Sequence, residues 1–222
     1  MRTSTIVLDV NETLSDLRPL SQRFVEVGLP AEFLDTWFAE VLRDGFALTM
    51  THQRASFPEL AKAVLHRMLA DSRSDDAVAA ATEHVMGGFG SLDVHPDVAP
   101  GLRALHRAGF QLVTLTNGSA AFAESLLDRA GVHDVIDRYL SVDSVGVWKP
   151  DQRAYTWAAE QLGERVGSLL MVAVHPWDTA GASHAGLQSA WINRDEVAFP
   201  TTFRAPDITA RDLVDLSAKA VR

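Results

Sequence analysis

Four polar residues stand at the ends of four apolar runs in this chain, and together they suit chemistry led by a carboxylate nucleophile. Asp9 ends Thr5-Ile6-Val7-Leu8 and opens Asp9-Val10-Asn11-Glu12-Thr13-Leu14. Thr116-Asn117-Gly118 ends Leu112-Val113-Thr114-Leu115, Lys149-Pro150-Asp151 follows a third run, and Asp178 follows Leu169 to Val174. A carboxylate near its reference pKa is ionised at neutral pH. It attacks carbon without a base to activate it, and the covalent product is an aspartyl ester. An ammonium beside it keeps it ionised and oriented, the part that suits Lys149. The competing reading of Asp9 is a helix N-cap at a strand-helix turn.

These residues need a scaffold that carries strand ends to one place. Residues 5 to 9 read as a buried parallel strand. From His95 onward helices and strands alternate: a helix from about Pro96 to Ala108, a strand from Phe110 to Leu115 and a helix from Ser119 to Ala130. Tyr139 to Val142 reads as a strand, Gln152 to Leu162 as a helix and Leu169 to Val174 as a strand. A helix starts near Trp177, Ala190-Trp191-Ile192 is the next strand, and Ile208 to Ala220 holds a short extended piece and a last helix. Such alternation argues βαβ units and a parallel sheet, and ligands of open α/β sheets bind outside the carboxyl ends of the strands. Residues 16–94 differ, being helical in pattern. Ser56-Phe57-Pro58-Glu59 is a capping-box signature, Leu60, Val64, Leu65 and Met68 follow at helical spacing, and Ser74 starts another helix expected to end near Gly87-Gly88. The expected organisation is a core of residues 1–15 and 95–222 with residues 16–94 inserted.

Composition narrows the function classes. A chain of 222 residues with 47% hydrophobic and 22% charged residues can bury a sizeable core. No uninterrupted apolar stretch reaches bilayer length, and one Arg before the first strand, with no long apolar leader, predicts no signal peptide. There is no cysteine, which excludes disulfides, thiolate metal sites and Cys nucleophiles and fits a reducing cytoplasm. The net charge of -9, with no Lys/Arg cluster, argues against nucleic acid as a partner. A small anionic substrate then needs a local cationic spot, for which Arg43 and Lys149 are candidates.

The ordered set resembles the haloacid dehalogenase superfamily of aspartate-nucleophile hydrolases over nearly the whole chain. Its 2-haloacid dehalogenase branch looks nearest, through Lys149-Pro150-Asp151-Gln152-Arg153-Ala154-Tyr155, through Trp177-Asp178 with Gly181-Ala182, and through Trp191-Ile192-Asn193-Arg194. The resemblance implies an α/β fold: a Rossmann-like parallel-sheet core with an inserted helical cap over the nucleophile. It implies that Asp9 attacks the halogen-bearing carbon of a small 2-haloacid and that water then cleaves the ester to a 2-hydroxy acid. In that scheme Thr13 and Thr116 hydrogen-bond the Asp9 or substrate carboxylate, Asn117 donates to the leaving halide, and Tyr155 hydrogen-bonds near the site. Asp178 pairs with Lys149 and helps place water, and Arg43 cradles the halide. Branch relatives are often dimers, so a homodimer is an expectation.

Two departures bear on the chemistry. Superfamily phosphatases carry an Asp two places after the nucleophile, which protonates the leaving alcohol. Asn11 stands there instead and cannot shuttle that proton, which counts against a phosphatase. The dehalogenase branch usually has an aromatic residue at that place. The branch also usually has Ser-x-Asn ahead of Trp-Asp, where this chain has Ala173-Val174-His175-Pro176. His175 is therefore a candidate base for ester hydrolysis or a donor to the halide. As a halide donor it extends the expected substrates to fluoroacetate, since fluoride is the hardest halide to expel. The superfamily phosphatases bind Mg²⁺ through two Asp residues, formally Asp9 and Asp178 here. The dehalogenases use no metal, so neither metal nor cofactor is expected. The alternatives are a Mg²⁺-dependent phosphatase of small metabolites and a degenerate, non-catalytic member.

Overall fold

The computed structural model describes residues 3–70 and 73–220. The chain separates into two compact units, Met1–Ser15 with Asp93–Arg222, and Asp16–Leu92.

The first unit is an α/β core. Its six strands are β1 (Thr5–Leu8), β2 (Gln111–Thr116), β3 (Arg138–Ser141), β4 (Leu169–Ala173), β5 (Gln188–Ile192) and β6 (Ile208–Ala210), in the order β3-β2-β1-β4-β5-β6. Every pairing is parallel. β1 and β4 are buried along their whole length, which explains their unbroken apolar sequences. The helices are α5 (Val98–Arg107), α6 (Ala120–Arg129), α7 (Gln152–Leu162), α8 (Pro176–Ala185) and α9 (Leu213–Ala220). Ile6, Leu8, Leu102, Leu126, Val172 and Ile192 belong to one buried cluster. α5 approaches α9 closely because Gly101 has no side chain: a Cβ there would lie 2.5 Å from that of Leu213.

The chain runs outward from β1 to β2 and β3, then returns to β4 on the other flank of β1. The order therefore reverses between β1 and β4, and a crevice forms where the two following loops part. Asp9 lies at this point, its N–H donating to the Val172 carbonyl at 3.0 Å.

The second unit holds α1 (Leu20–Glu26), α2 (Phe33–Met50), α3 (Phe57–Leu69) and α4 (Asp75–Gly90). It has its own aromatic core. Trp37 is fully buried, meets Phe24, Phe57 and Phe89 at ring-centroid distances of 5.8, 6.3 and 6.1 Å, and donates its indole N–H to the Ala61 carbonyl. The expected capping box is present, with Ser56 and Glu59 satisfying each other's backbone at the start of α3. One boundary is corrected: α4 passes through Gly87 and Gly88 to Gly90. Glycine weakens a helix by about 1 kcal/mol, yet at position 88 a Cβ would meet Arg23 Cγ at 2.8 Å and Leu20 Cδ1 at 2.9 Å. Close packing of α1 on α4 outweighs the propensity.

Candidate active site

The strand ends bring the sequence motifs together in the core unit. Lys149 is fully buried, and its ammonium donates to Asp9 Oδ1 at 2.9 Å and to Asp178 Oδ2 at 2.6 Å. Tyr155, also fully buried, donates its hydroxyl to Asp178 Oδ1 at 2.6 Å. α7 delivers that hydroxyl because Gly181 lets it come close: a Cβ at 181 would stand 2.8 Å from it and 2.6 Å from Pro150 Cβ.

Thr13 ties two loops to the nucleophile candidate. Its hydroxyl donates to Asp9 Oδ2 at 2.7 Å and accepts the Val174 N–H at 3.1 Å. Behind it, Arg194 donates to the Thr13 carbonyl at 2.8 Å and to Asp97 Oδ1 at 2.6 Å. Trp191 donates to the Val174 carbonyl at 2.8 Å, fixing the peptide ahead of His175. Arg194 and Trp191 belong to a matched motif, but neither carried an assigned task in the sequence. Their partners are far apart along the chain.

Asn117 and Thr116 have local tasks. Asn117 accepts the Lys149 N–H at 2.8 Å and donates to the Lys149 carbonyl at 3.1 Å, so its amide holds the lysine's backbone. One of its two amide hydrogens remains beyond that bond. Thr116 Oγ1 accepts the Gly118 N–H at 2.9 Å, shaping the turn after β2. Asn11 is buried and its Oδ1 has no hydrogen-bond partner. A Cβ added at Gly118 would stand 3.5 Å from Asn11 Nδ2, so the side chain points towards that turn. Arg43 lies on α2 of the helical unit, exposed, paired with Glu40 at 3.1 Å and Asp44 at 2.8 Å.

His175 sits at the N-cap of α8, its ring stacked on Trp177 at a centroid distance of 4.9 Å. Nδ1 lies 3.2 Å from Asp9 Oδ2 and Nε2 lies 2.8 Å from Glu12 Oε2. Ionised carboxylates only accept hydrogen bonds. Two carboxylate acceptors on the two ring nitrogens favour the imidazolium form. Burial opposes that charge, but the bonds to Asp9 and Glu12 outweigh it and raise the pKa to about 9. His175 thus stands between two carboxylates, within hydrogen-bond reach of both.

The rest of the cluster follows from the same competition. Burial alone would raise the Asp9 carboxyl, but Lys149, His175 and Thr13 hold it well below the usual carboxylate range. Burial likewise disfavours the Lys149 ammonium, and Asp178 with Asp9 raises it nonetheless. Asp178 is raised, by burial first and by the neighbouring Asp9 charge, against the pull of Lys149. Burial, then Asp178, pushes the Tyr155 phenol well up, so it remains a donor. Asp9 thus faces Lys149 and His175, while Asp178 faces Lys149 and Tyr155.

All four oxygens of Asp9 and Asp178 accept hydrogen bonds from side-chain donors, and the Lys149 ammonium bridges the two groups. Among the described residues no group of three or more His, Cys, Asp or Glu side chains is placed to hold a metal ion.

A pH effect on stability follows. His175 is raised on folding, so its contribution is complete below about pH 6.5 and disappears as pH rises through about 9. The loss is on the order of 3 kcal/mol. Denaturant titrations at pH 6.5 and 9.5 should show wild type losing more stability than His175→Asn. Equal losses would contradict the imidazolium.

A family model for haloacid dehalogenase-like hydrolases matches residues 3–186. The chain belongs to the haloacid dehalogenase-like hydrolases. Within them it falls in the 2-haloacid dehalogenase branch. It is 30% identical over 190 residues to an (S)-2-haloacid dehalogenase of Burkholderia cepacia, covering 85% of this chain and 82% of that protein. It is 27% identical to an (S)-2-haloacid dehalogenase of a Pseudomonas strain over 219 residues, 95% of this chain and 93% of that one. The crystal structure of a dehalogenase with an intermediate complex superposes with a TM-score of 0.90 at 26% identity, covering 99% and 98% of the two chains. As in the branch, the core sheet is parallel with helices flanking it. Among the described residues no helix is long and apolar enough to cross a membrane.

Proposed function

We propose that this protein hydrolyses the carbon–halogen bond of small 2-haloacids, with Asp9 as nucleophile. The observation that carries the reading is the Asp9 carboxylate, buried yet held ionised by Lys149 and His175, with Asn11 where a proton-shuttling acid would serve a phosphatase.

In the first step an Asp9 oxygen forms a bond to the substrate's α-carbon as the carbon–halogen bond breaks, and halide leaves with the electron pair. His175 and the free Asn117 hydrogen are its donors in the core. Arg43 enters this reading as a further halide-binding cation, on the strength of its sequence match. Thr116 and Asn11 are assigned to the substrate carboxylate and its surroundings. In the second step water attacks the carbonyl carbon of the Asp9 ester, the acyl–oxygen bond breaks, and the 2-hydroxy acid departs. Asp178, held by Lys149 and Tyr155, and His175 are the groups assigned to water.

No step needs a metal. The helical unit is assigned the role of a cap that excludes bulk water, which strengthens the electrostatics at Asp9. The reading also takes the protein as cytoplasmic and dimeric, the latter checked by its mass in solution. Preference for the (S) substrate is part of it, since the related proteins are (S)-2-haloacid dehalogenases.

The test is halide release from fluoroacetate, chloroacetate and both enantiomers of 2-chloropropionate without added metal. Release from chloroacetate and from (S)-2-chloropropionate over its mirror image is expected, and fluoride release would add the fluoroacetate reading. No halide from any of the four, with Mg²⁺-dependent phosphate release from small phosphate esters, would transfer the protein to the phosphatases. No turnover of either class would leave the degenerate member.

A further inference from the structure

Glu12 received no task in the sequence, and the structure gives its whole residue one. Its backbone is in the left-handed region, φ 61°, where a residue with a Cβ is held only if the surroundings require it. They do so from both sides. Its N–H donates to Ser15 Oγ at 3.3 Å, and His95 Nε2 approaches its carbonyl at 2.9 Å as a donor. The conformation aims the Glu12 carboxylate at His175 Nε2, 2.8 Å away. Glu12 remains partly open to solvent, with its side chain 38% exposed against 12% for His175.

We propose that Glu12 is a positioning residue for the second half-reaction: it holds the His175 Nε2–H, so that Nδ1 faces Asp9 as the base for ester hydrolysis. This rests on the dehalogenase reading above. The logic is that of any carboxylate behind a catalytic histidine, which selects the tautomer and orients the ring.

The protons balance. In the resting state both ring nitrogens donate, Nδ1 to Asp9 and Nε2 to Glu12. When Asp9 becomes an ester its charge is gone, and the Nδ1 proton loses its acceptor and passes to solvent as halide leaves. Glu12 keeps the Nε2 proton, so the neutral ring presents the Nδ1 lone pair to the ester. Water then adds to the ester carbonyl, one of its protons going to Nδ1 and the other ending on the departing 2-hydroxy acid. The Asp9 carboxylate and the imidazolium are both restored. The charged groups facing His175 include Asp9 and Glu12, both from the end of β1. Lys149, from the loop ahead of α7, reaches the other oxygen of Asp9, and Asp178 on α8 lies behind Lys149. Trp177 covers the ring face and carries no charge.

The experiment uses Glu12→Gln, which keeps length without charge, and Glu12→Gly, which suits the left-handed backbone and so separates folding from function. Imidazole NMR titrations come first and need no substrate. The His175 midpoint should fall by about one unit in both variants, as loss of an adjacent charge requires. Rapid mixing with a turned-over haloacid comes second. Ester hydrolysis should slow about 10²-fold more than halide release, the scale of a general base, and the Asp9 ester should accumulate as a mass increase on the protein. In a His175→Asn background Glu12→Gln should add no further slowing. An unmoved His175 titration, equal slowing of both halves, or full additivity in the double variant would each overturn the proposal. A wild type that forms neither ester nor halide would remove the dehalogenase reading itself. Normal turnover in Glu12→Gln would remove only the role of Glu12.

Discussion

Asp9→Asn should abolish halide release, by about 10⁴-fold or more, with no ester trapped on the protein. That scale is what removal of a covalent nucleophile costs. Asn nearly matches Asp in volume, and its amide oxygen can still accept from Thr13, so the fold should survive and circular dichroism should be unchanged. The neutral amide is a poor nucleophile towards carbon, and neutral water is a weaker nucleophile than the carboxylate it would have to replace. The variant should also lower the His175 titration, since one of the two carboxylates holding the imidazolium has gone. Measurable halide release in Asp9→Asn at even a tenth of the wild-type rate would exclude the covalent route.

Lys149→Met should cost about 3–5 kcal/mol of stability and nearly all activity. The methionine fills most of the space of the lysine stem, so the main loss is charge. Asp9 and Asp178 would stand buried without the ammonium that bridges them, and breaking a buried pair from one side carries a penalty of about that size. The pH slope gives the diagnostic sign. In wild type the depressed Asp9 carboxyl supports the fold above about pH 4, and that support is lost as pH falls through its folded value. In Lys149→Met the buried carboxyls titrate upward, so mild acid protonates one of them and should stabilise the variant relative to neutral pH. Denaturant midpoints at pH 5 and 7 separate the two slopes. A variant as stable as wild type at pH 7 would show that Lys149 does not offset the buried carboxylates.

The legible part of the fold was the part whose burial is uniform. β1 and β4 are covered on both faces, so each reads as a short unbroken apolar run between turn residues. α7 matched its expected bounds because Asp151 caps its start and Gly163, with φ 67°, ends it. The end of α4 was placed too early because Gly88 serves packing between helices, a reason that no local signal carries. In the site, Asp9, Lys149 and Asp178 were legible as candidates because their order along a βαβ chain places each beyond the carboxyl end of a strand of one sheet. Asn117 was legible as a residue but not in its task, since holding the Lys149 backbone depends on where a chain segment 32 residues later returns. Glu12 was passed over because nothing in Asn11-Glu12-Thr13 announces a left-handed backbone or a histidine 163 residues away.

The sequence by itself determined the class of protein, the parallel core, the nucleophile candidate and its lysine, because motif order and hydrophobic periodicity are local or follow from chain topology. Only the tertiary structure decided the two carboxylates that face the His175 ring, the closed ring of donors around Asp9 and Asp178, and the partnership of Glu12 with His175. Protonation and hydrogen-bond direction depend on which groups burial brings within about 3 Å of each other, and contacts made across more than a hundred residues leave no mark in the sequence near either partner.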